Sequence, residues 1–267
     1  MSLFQRLTRN LRPTMYSKTP PTKSMPITFF SSHANHRPRL GHRLYSSWNQ
    51  FNNGKNAAQN INLMYSLMGL NVGVWTYGYF LQTQARQGYP GPASSFMRNT
   101  TLNFNEFFYG GRWWTAVTSV FNHSGILHLG FNMLSTYYLG GMVASIPGIT
   151  PVRFLTIVLG SGICGSLGFL AQRYNTIKDP RRGDNVRGLG FSGAVTGLGV
   201  VAAFVYPRTK MMLYGIIPAP LWALMLGFVA YDGYYMNDSN SRIAHAGHLG
   251  GAAFGAMYFL LRMRRGF

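Results

Sequence analysis

Apolar residues along this chain gather into six runs, separated by polar stretches. The runs are Ile61–Gln82, Ile126–Ile146, Val152–Gln172, Gly188–Tyr206, Pro218–Met236 and Ala244–Met263. Each approaches the roughly 20 apolar residues that a helix needs to cross a bilayer. The fourth and fifth are short or broken by glycine and proline. One such run could be the core helix of a soluble protein; six in 267 residues argue against that. The pattern predicts an all-α, polytopic membrane protein with six spans. Small residues recur inside the runs, including the pairs Gly193/Gly197 and Gly251/Gly255. Such pairs let helix backbones approach closely in lipid. A long connection, residues 83–125, joins the first two spans and carries Tyr89, Phe96, Phe104, Phe107, Phe108, Tyr109, Trp113 and Trp114. Aromatic rings favour the membrane interface, so this loop is expected to lie partly embedded there.

Composition agrees with a membrane setting. Only 11% of residues are charged, against about 25% in soluble domains. The charge is one-sided, with 24 Lys+Arg against 5 Asp+Glu and a formal net charge of +19. No basic helix with interleaved aromatics appears, so nucleic acid is not an expected partner. Membrane lipid is. Cys164 is the single cysteine, which excludes an intrachain disulfide and a cysteine metal site.

The first acidic residue is Glu106. Before it, Arg6, Arg9, Arg12, Lys18, Lys23, Arg37, Arg39 and Arg43 alternate with many Ser and Thr, without a signal-type apolar run. That composition predicts a mitochondrial transit peptide. Arg43-Leu44-Tyr45-Ser46 resembles the Arg-x-Tyr-Ser site of the matrix processing peptidase. The expected organisation is a removable transit peptide over 1–45, a linker over 46–60, a six-helix domain over 61–263 and a short basic tail over 264–267.

Polar groups inside a membrane are costly and mark functional sites. His123, His128 and Asn132 enter the second span, Ser192 enters the fourth, and His245 and His248 enter the sixth. Spans 2, 4 and 6 cross in the same direction, so all three clusters lie near one membrane face. At 1.5 Å rise per residue, Ser192 and His248 each fall roughly 6 Å inside their spans. A serine hydroxyl needs a base within hydrogen-bond reach, and histidine can take and return its proton. His128 and Asn132, four residues apart, share a helix face and can both donate to an oxyanion. The Ser192 backbone N–H could add a third donor. Gly190 and Gly193, with Phe191 between Gly190 and Ser192, leave room for a substrate backbone and for the sixth helix. No carboxylate lies near these residues in sequence, so a Ser/His dyad is expected.

With these motifs in view, the chain resembles the rhomboid family of intramembrane serine proteases over roughly residues 61–263. Gly190-Phe191-Ser192-Gly193 matches the family's Gly-x-Ser-Gly, whose serine is the nucleophile. His248-Leu249-Gly250-Gly251-Ala252-Ala253-Phe254-Gly255 matches its His-x-x-Gly-x-x-x-Gly, whose histidine is the base. His128-Leu129-Gly130-Phe131-Asn132 matches its His-x-x-x-Asn, which supplies oxyanion donors. The resemblance selects His248, with glycines at +3 and +7, over His245; it leaves His245 without a role. His123 is a candidate auxiliary donor. Gly197, Gly251 and Gly255 are expected in helix packing. The HxxH spacing of His245 and His248 lacks the Glu of HExxH, so neither metal nor cofactor is expected. The chain departs from the family pattern at Gly111-Arg112-Trp113-Trp114, where the family often has Trp-Arg, and at Thr196, where many members stack a Tyr on the histidine. It also shows no extra helix within residues 1–60, unlike many mitochondrial members.

The resemblance implies hydrolysis of peptide bonds in single-pass membrane substrates, favouring segments that unwind easily. The expected location is the mitochondrial inner membrane, with the site facing the intermembrane space. The alternative is a membrane protein without peptidase activity: a transporter, or a degenerate member that binds clients without cutting them. Degenerate members typically lack the serine or histidine, and both are present here.

Overall fold

The computed structural model describes residues 40–177, 184–213, 216–238, 241 and 243–264. Most of the expected transit segment lies outside these residues, as do Lys178, Arg181, Arg182, and Arg265 of the basic tail. Contacts divide the chain into Met1–Arg43 and Leu44–Phe267, and the description concerns the second unit.

Every one of the six apolar runs is helical over most of its length. Helix α1 spans Leu40–Arg86 and carries the first. The second is α5, Ile126–Ser135, which continues through a π turn, Thr136–Gly140, into α6, Gly141–Ala144. The third is α7, Pro151–Thr176, with Thr150 capping its start by accepting from the Arg153 N–H. The fourth, fifth and sixth hold α8, Ser192–Val205; α9, Leu221–Tyr235; and α10, His245–Tyr258, which ends in a π turn over Phe259–Met263. Among the described residues only α7 is by itself long and apolar enough to cross a membrane, with mean hydropathy 1.9. A helix the length of α8 or α9 rises about 21–23 Å, short of a hydrocarbon core of about 30 Å. Residues 184–190 enter α8 as irregular chain rather than helix, and Phe191 is the turn residue before it. Pro218–Pro220 belong to a β-strand, because β1, Lys210–Leu213, pairs antiparallel with β2, Ile217–Pro220. This hairpin is an addition to the all-α expectation.

Two other expectations change. Residues 46–60 are not a linker but part of α1. Their polar side chains have tertiary partners: Asn53 Oδ1 accepts from the Gly148 N–H at 3.1 Å. The fully buried Asn60 Nδ2 donates to the carbonyls of Ala144 and Ile149 at 3.1 and 2.9 Å. The connection 83–125 is largely helical, comprising the end of α1, then α2 (Pro90–Thr100), α3 (Phe104–Phe108) and α4 (Thr115–Thr118). It is anchored by a two-way backbone bridge, Leu102 N–H to Gly188 carbonyl and back, both 2.8 Å.

Helix α10 makes its most extensive contacts with α7 and α8. Phe154, Ile157, Val158, Ala194, Leu198 and Val201 fill the apolar core below the site. Backbones touch along the α8–α10 seam. A Cβ at Gly251 would run into the Gly193 carbonyl, and one at Gly255 into that of Gly197. The two small-residue pairs seen in the sequence therefore face each other, which brings the amino-terminal ends of α8 and α10 together.

Candidate active site

Gly190 has φ +127, a conformation that favours glycine. Its N–H donates to the Ser119 carbonyl at 2.9 Å. The bend ends the irregular entry segment, and α8 starts at Ser192, its first helical residue. Ser192 is therefore at its helix start, not one turn inside. His245 is the first residue of α10 and His248 the fourth, so the two rings share a face.

His248 Nε2 lies 2.9 Å from Ser192 Oγ. The other ring nitrogen, Nδ1, lies 3.0 and 3.1 Å from the two carboxylate oxygens of Asp232 on α9. A carboxylate only accepts, so Nδ1 carries the ring hydrogen and Nε2 is left to accept from the Ser192 hydroxyl. The geometry adds Asp232 to the expected pair, giving a Ser192–His248–Asp232 chain of hydrogen bonds. Asp232 is 4% exposed and would be strongly unfavourable there without donors. Thr196 Oγ1 donates to its own helix at the Ser192 carbonyl, 2.8 Å away. The ring of His248 is braced by Asp232 rather than from the Thr196 position.

Sequence spacing does not reveal Asp232, because its partners lie 13 and 16 residues onward, past the end of α9. One signal was available: it is the only acid within an apolar run, which by itself marks a functional position.

His128 and Asn132 line a cavity of about 620 Å3 with Ser192, His248, Phe131, Val195, Met225 and Phe228. His128 Nδ1 meets the Ser124 hydroxyl at 3.1 Å. Asn132 Nδ2 donates one hydrogen to the His128 carbonyl at 2.8 Å; an amide nitrogen carries a second. Two sequence expectations change here, at Phe191 and His123. Phe191 is fully buried against Phe121, in the core rather than facing a substrate. Gly193 is buried in the contact with Gly165 of α7 and Gly247 of α10. His123 does not line the cavity; its Nε2 accepts from the Phe191 N–H at 3.4 Å. Burial, and then the neighbouring His128, lower the His123 pKa to about 4, which keeps that nitrogen free to accept. Gly190 lies against the His128 ring.

The long connection is tied to this site by charge. Glu106 receives Arg187 Nη1 and Nη2 at 3.1 and 2.8 Å and Arg98 Nε at 3.2 Å. Its pKa is lowered, chiefly by the Arg187 hydrogen bond. Arg112 contacts Asn99 instead, at 3.1 Å.

Asp232, His245 and His248 each offer one potential ligand atom, all within 4.8 Å of one another. In this arrangement those atoms hydrogen-bond among themselves.

Most of this region is matched by a family model. Residues 110–265 fit the Rhomboid domain, taking in Ser192, Asp232 and His248. The chain belongs to the rhomboid family. Among curated relatives, this rhomboid chain is 33% identical to RHOMBOID-like protein 12, mitochondrial, of Arabidopsis thaliana over 179 residues, 64% of this chain and 52% of that one. It is 27% identical to Rhomboid protein 1, mitochondrial, of Saccharomyces cerevisiae over 198 residues, 74% of this chain and 52% of that one. Rhomboid protease GluP of Bacillus subtilis is 32% identical over 153 residues, 55% of this chain and 25% of that one. The chain spans about half the length of the first two.

Proposed function

We propose that this rhomboid chain is an intramembrane serine endopeptidase of the mitochondrial inner membrane, acting on single-pass membrane proteins. The observation that carries this is the 2.9 Å contact of Ser192 Oγ with His248 Nε2 at a cavity wall. The family and the two mitochondrial relatives support it.

In this reading Ser192 Oγ attacks the scissile carbonyl and its proton passes to His248 Nε2. Asp232 holds the imidazole in the correct tautomer and stabilises the imidazolium. The oxyanion is received by the Ser192 N–H, the second hydrogen of Asn132 Nδ2 and His128. Collapse breaks the C–N bond, and the leaving amine takes the proton from His248. Water, deprotonated by His248, then releases the acyl group from Ser192.

Phe131 of α5 and Phe228 of α9 line the cavity and are 67% and 51% exposed. A substrate segment would therefore enter between α5 and α9. It must be unwound there, because helical carbonyls are engaged in their own hydrogen bonds. The six helical runs would be six spans, with the short α8 and α9 completed by the entry segment and the hairpin. The site would open to the intermembrane space. Protection of a carboxyl-terminal tag from protease in mitoplasts tests that orientation; digestion of the tag would reverse it.

The activity is tested with purified chain in proteoliposomes and a model single-pass substrate. Cleavage by the wild type and none by Ser192→Ala is expected; full cleavage by Ser192→Ala would refute the mechanism.

A further inference from the structure

His245 has no part in the proton transfers above, yet it is 1% exposed and lies 2.6 Å from Asp232 through its Nδ1. Its other nitrogen, Nε2, lies 2.8 Å from Ser241 Oγ. That hydroxyl oxygen accepts from the Ile243 N–H at 3.2 Å. The Asp232 carboxylate only accepts, so the ring's hydrogen is on Nδ1, directed at Asp232 Oδ1. Nε2 of the neutral ring then accepts the Ser241 hydrogen. The rings of Tyr231 and Tyr235, both on α9, pack against His245 from one side, with centroids 5.6 and 6.0 Å away. Partners at both nitrogens hold the ring and its tautomer.

We propose that His245 is a positioning residue: with Ser241 it fixes the rotation of the Asp232 carboxylate so that both oxygens meet His248 Nδ1. Asp232 has a single donor from the reacting histidine, and one donor does not define a carboxylate's rotation. The donor from His245 supplies the second point. This rests on Ser192 and His248 as the reacting pair. The arrangement is the one by which partners outside a reacting centre orient it.

The test compares full-length wild type, Ser192→Ala, His245→Ala, His245→Asn and His245→Gln in proteoliposomes, by kcat, KM and thermal midpoint. Asn places its Nδ2–H close to where His carries Nδ1–H; Gln places its amide farther out. His245→Ala is expected to lower kcat about 10–100-fold, with KM within about twofold of wild type by the same positioning argument. His245→Asn should recover most of that loss, and His245→Gln should not. Fluorophosphonate labelling of Ser192 should slow in the same order. Should His245→Ala fail to fold, the Asn against Gln comparison decides. Wild-type kcat in His245→Ala, or equal losses in Asn and Gln at unchanged thermal midpoint, overturns the positioning role and leaves the peptidase reading intact. Undiminished cleavage by Ser192→Ala overturns both.

Discussion

Asp232 and His248 face one another across the α9–α10 contact, with Oδ2 3.0 Å from Nδ1. The relationship gives His248 a fixed tautomer, and it places a buried carboxylate where a two-residue mechanism has none. Asp232→Asn keeps the shape but offers the histidines one acceptor and an NH2 group. The His248 ring can then turn its hydrogen toward Ser192. A kcat loss of about 10²–10⁴-fold with little change in KM is expected from steady-state cleavage kinetics. An activity within about twofold of wild type would remove Asp232 from the mechanism.

The α8–α10 seam should tolerate no added side chain at its closest point. Gly251→Ala drives a methyl group into the Gly193 carbonyl, so a destabilisation of about 1–3 kcal/mol is expected. Gly69→Ala in α1 meets nothing within 4 Å and should be neutral or stabilising by up to about 1 kcal/mol. Thermal midpoints in detergent check the contrast.

Phe191→Ala separates a core role from substrate contact. As the side chain is fully buried, its removal should cost about 3–5 kcal/mol. The order of preference among model substrates should be unchanged. A shift in preference at unchanged stability would return Phe191 to the substrate face.

Acid should destabilise the fold in two windows. His123 has its folded pKa lowered from 6.5 to about 4. Its contribution is complete above the unfolded value and is lost as pH falls from about 6.5 toward 4. Glu106, also lowered, contributes above about 4.5 and loses that contribution below it. Thermal midpoint against pH should fall first through the histidine window. His123→Asn should flatten that part of the curve while leaving the lower one.

The sequence makes the helices legible because their apolar runs are long. It makes Ser192 and His248 legible because each carries its own local glycine pattern. Asp232 is held by a tertiary contact that no spacing within one helix encodes, although a lone acid in an apolar run was itself a signal. The helices within 83–125 escape notice because they span from 4 to 11 residues and show little periodicity. Residues 46–60 read as a linker because their helix is stabilised partly through Asn53 and Asn60, whose partners lie 84–95 residues away. Phe191 and Gly193 adjoin the nucleophile in sequence, yet the start of α8 turns both toward the core.

The most direct test of the central claim is covalent labelling of the wild-type chain in membranes by a fluorophosphonate, with the adduct mapped by mass spectrometry. An activated serine predicts one adduct, on Ser192, that is lost in His248→Ala and slowed in Asp232→Asn. Labelling that spares Ser192, or that proceeds at wild-type rate in His248→Ala, would contradict it.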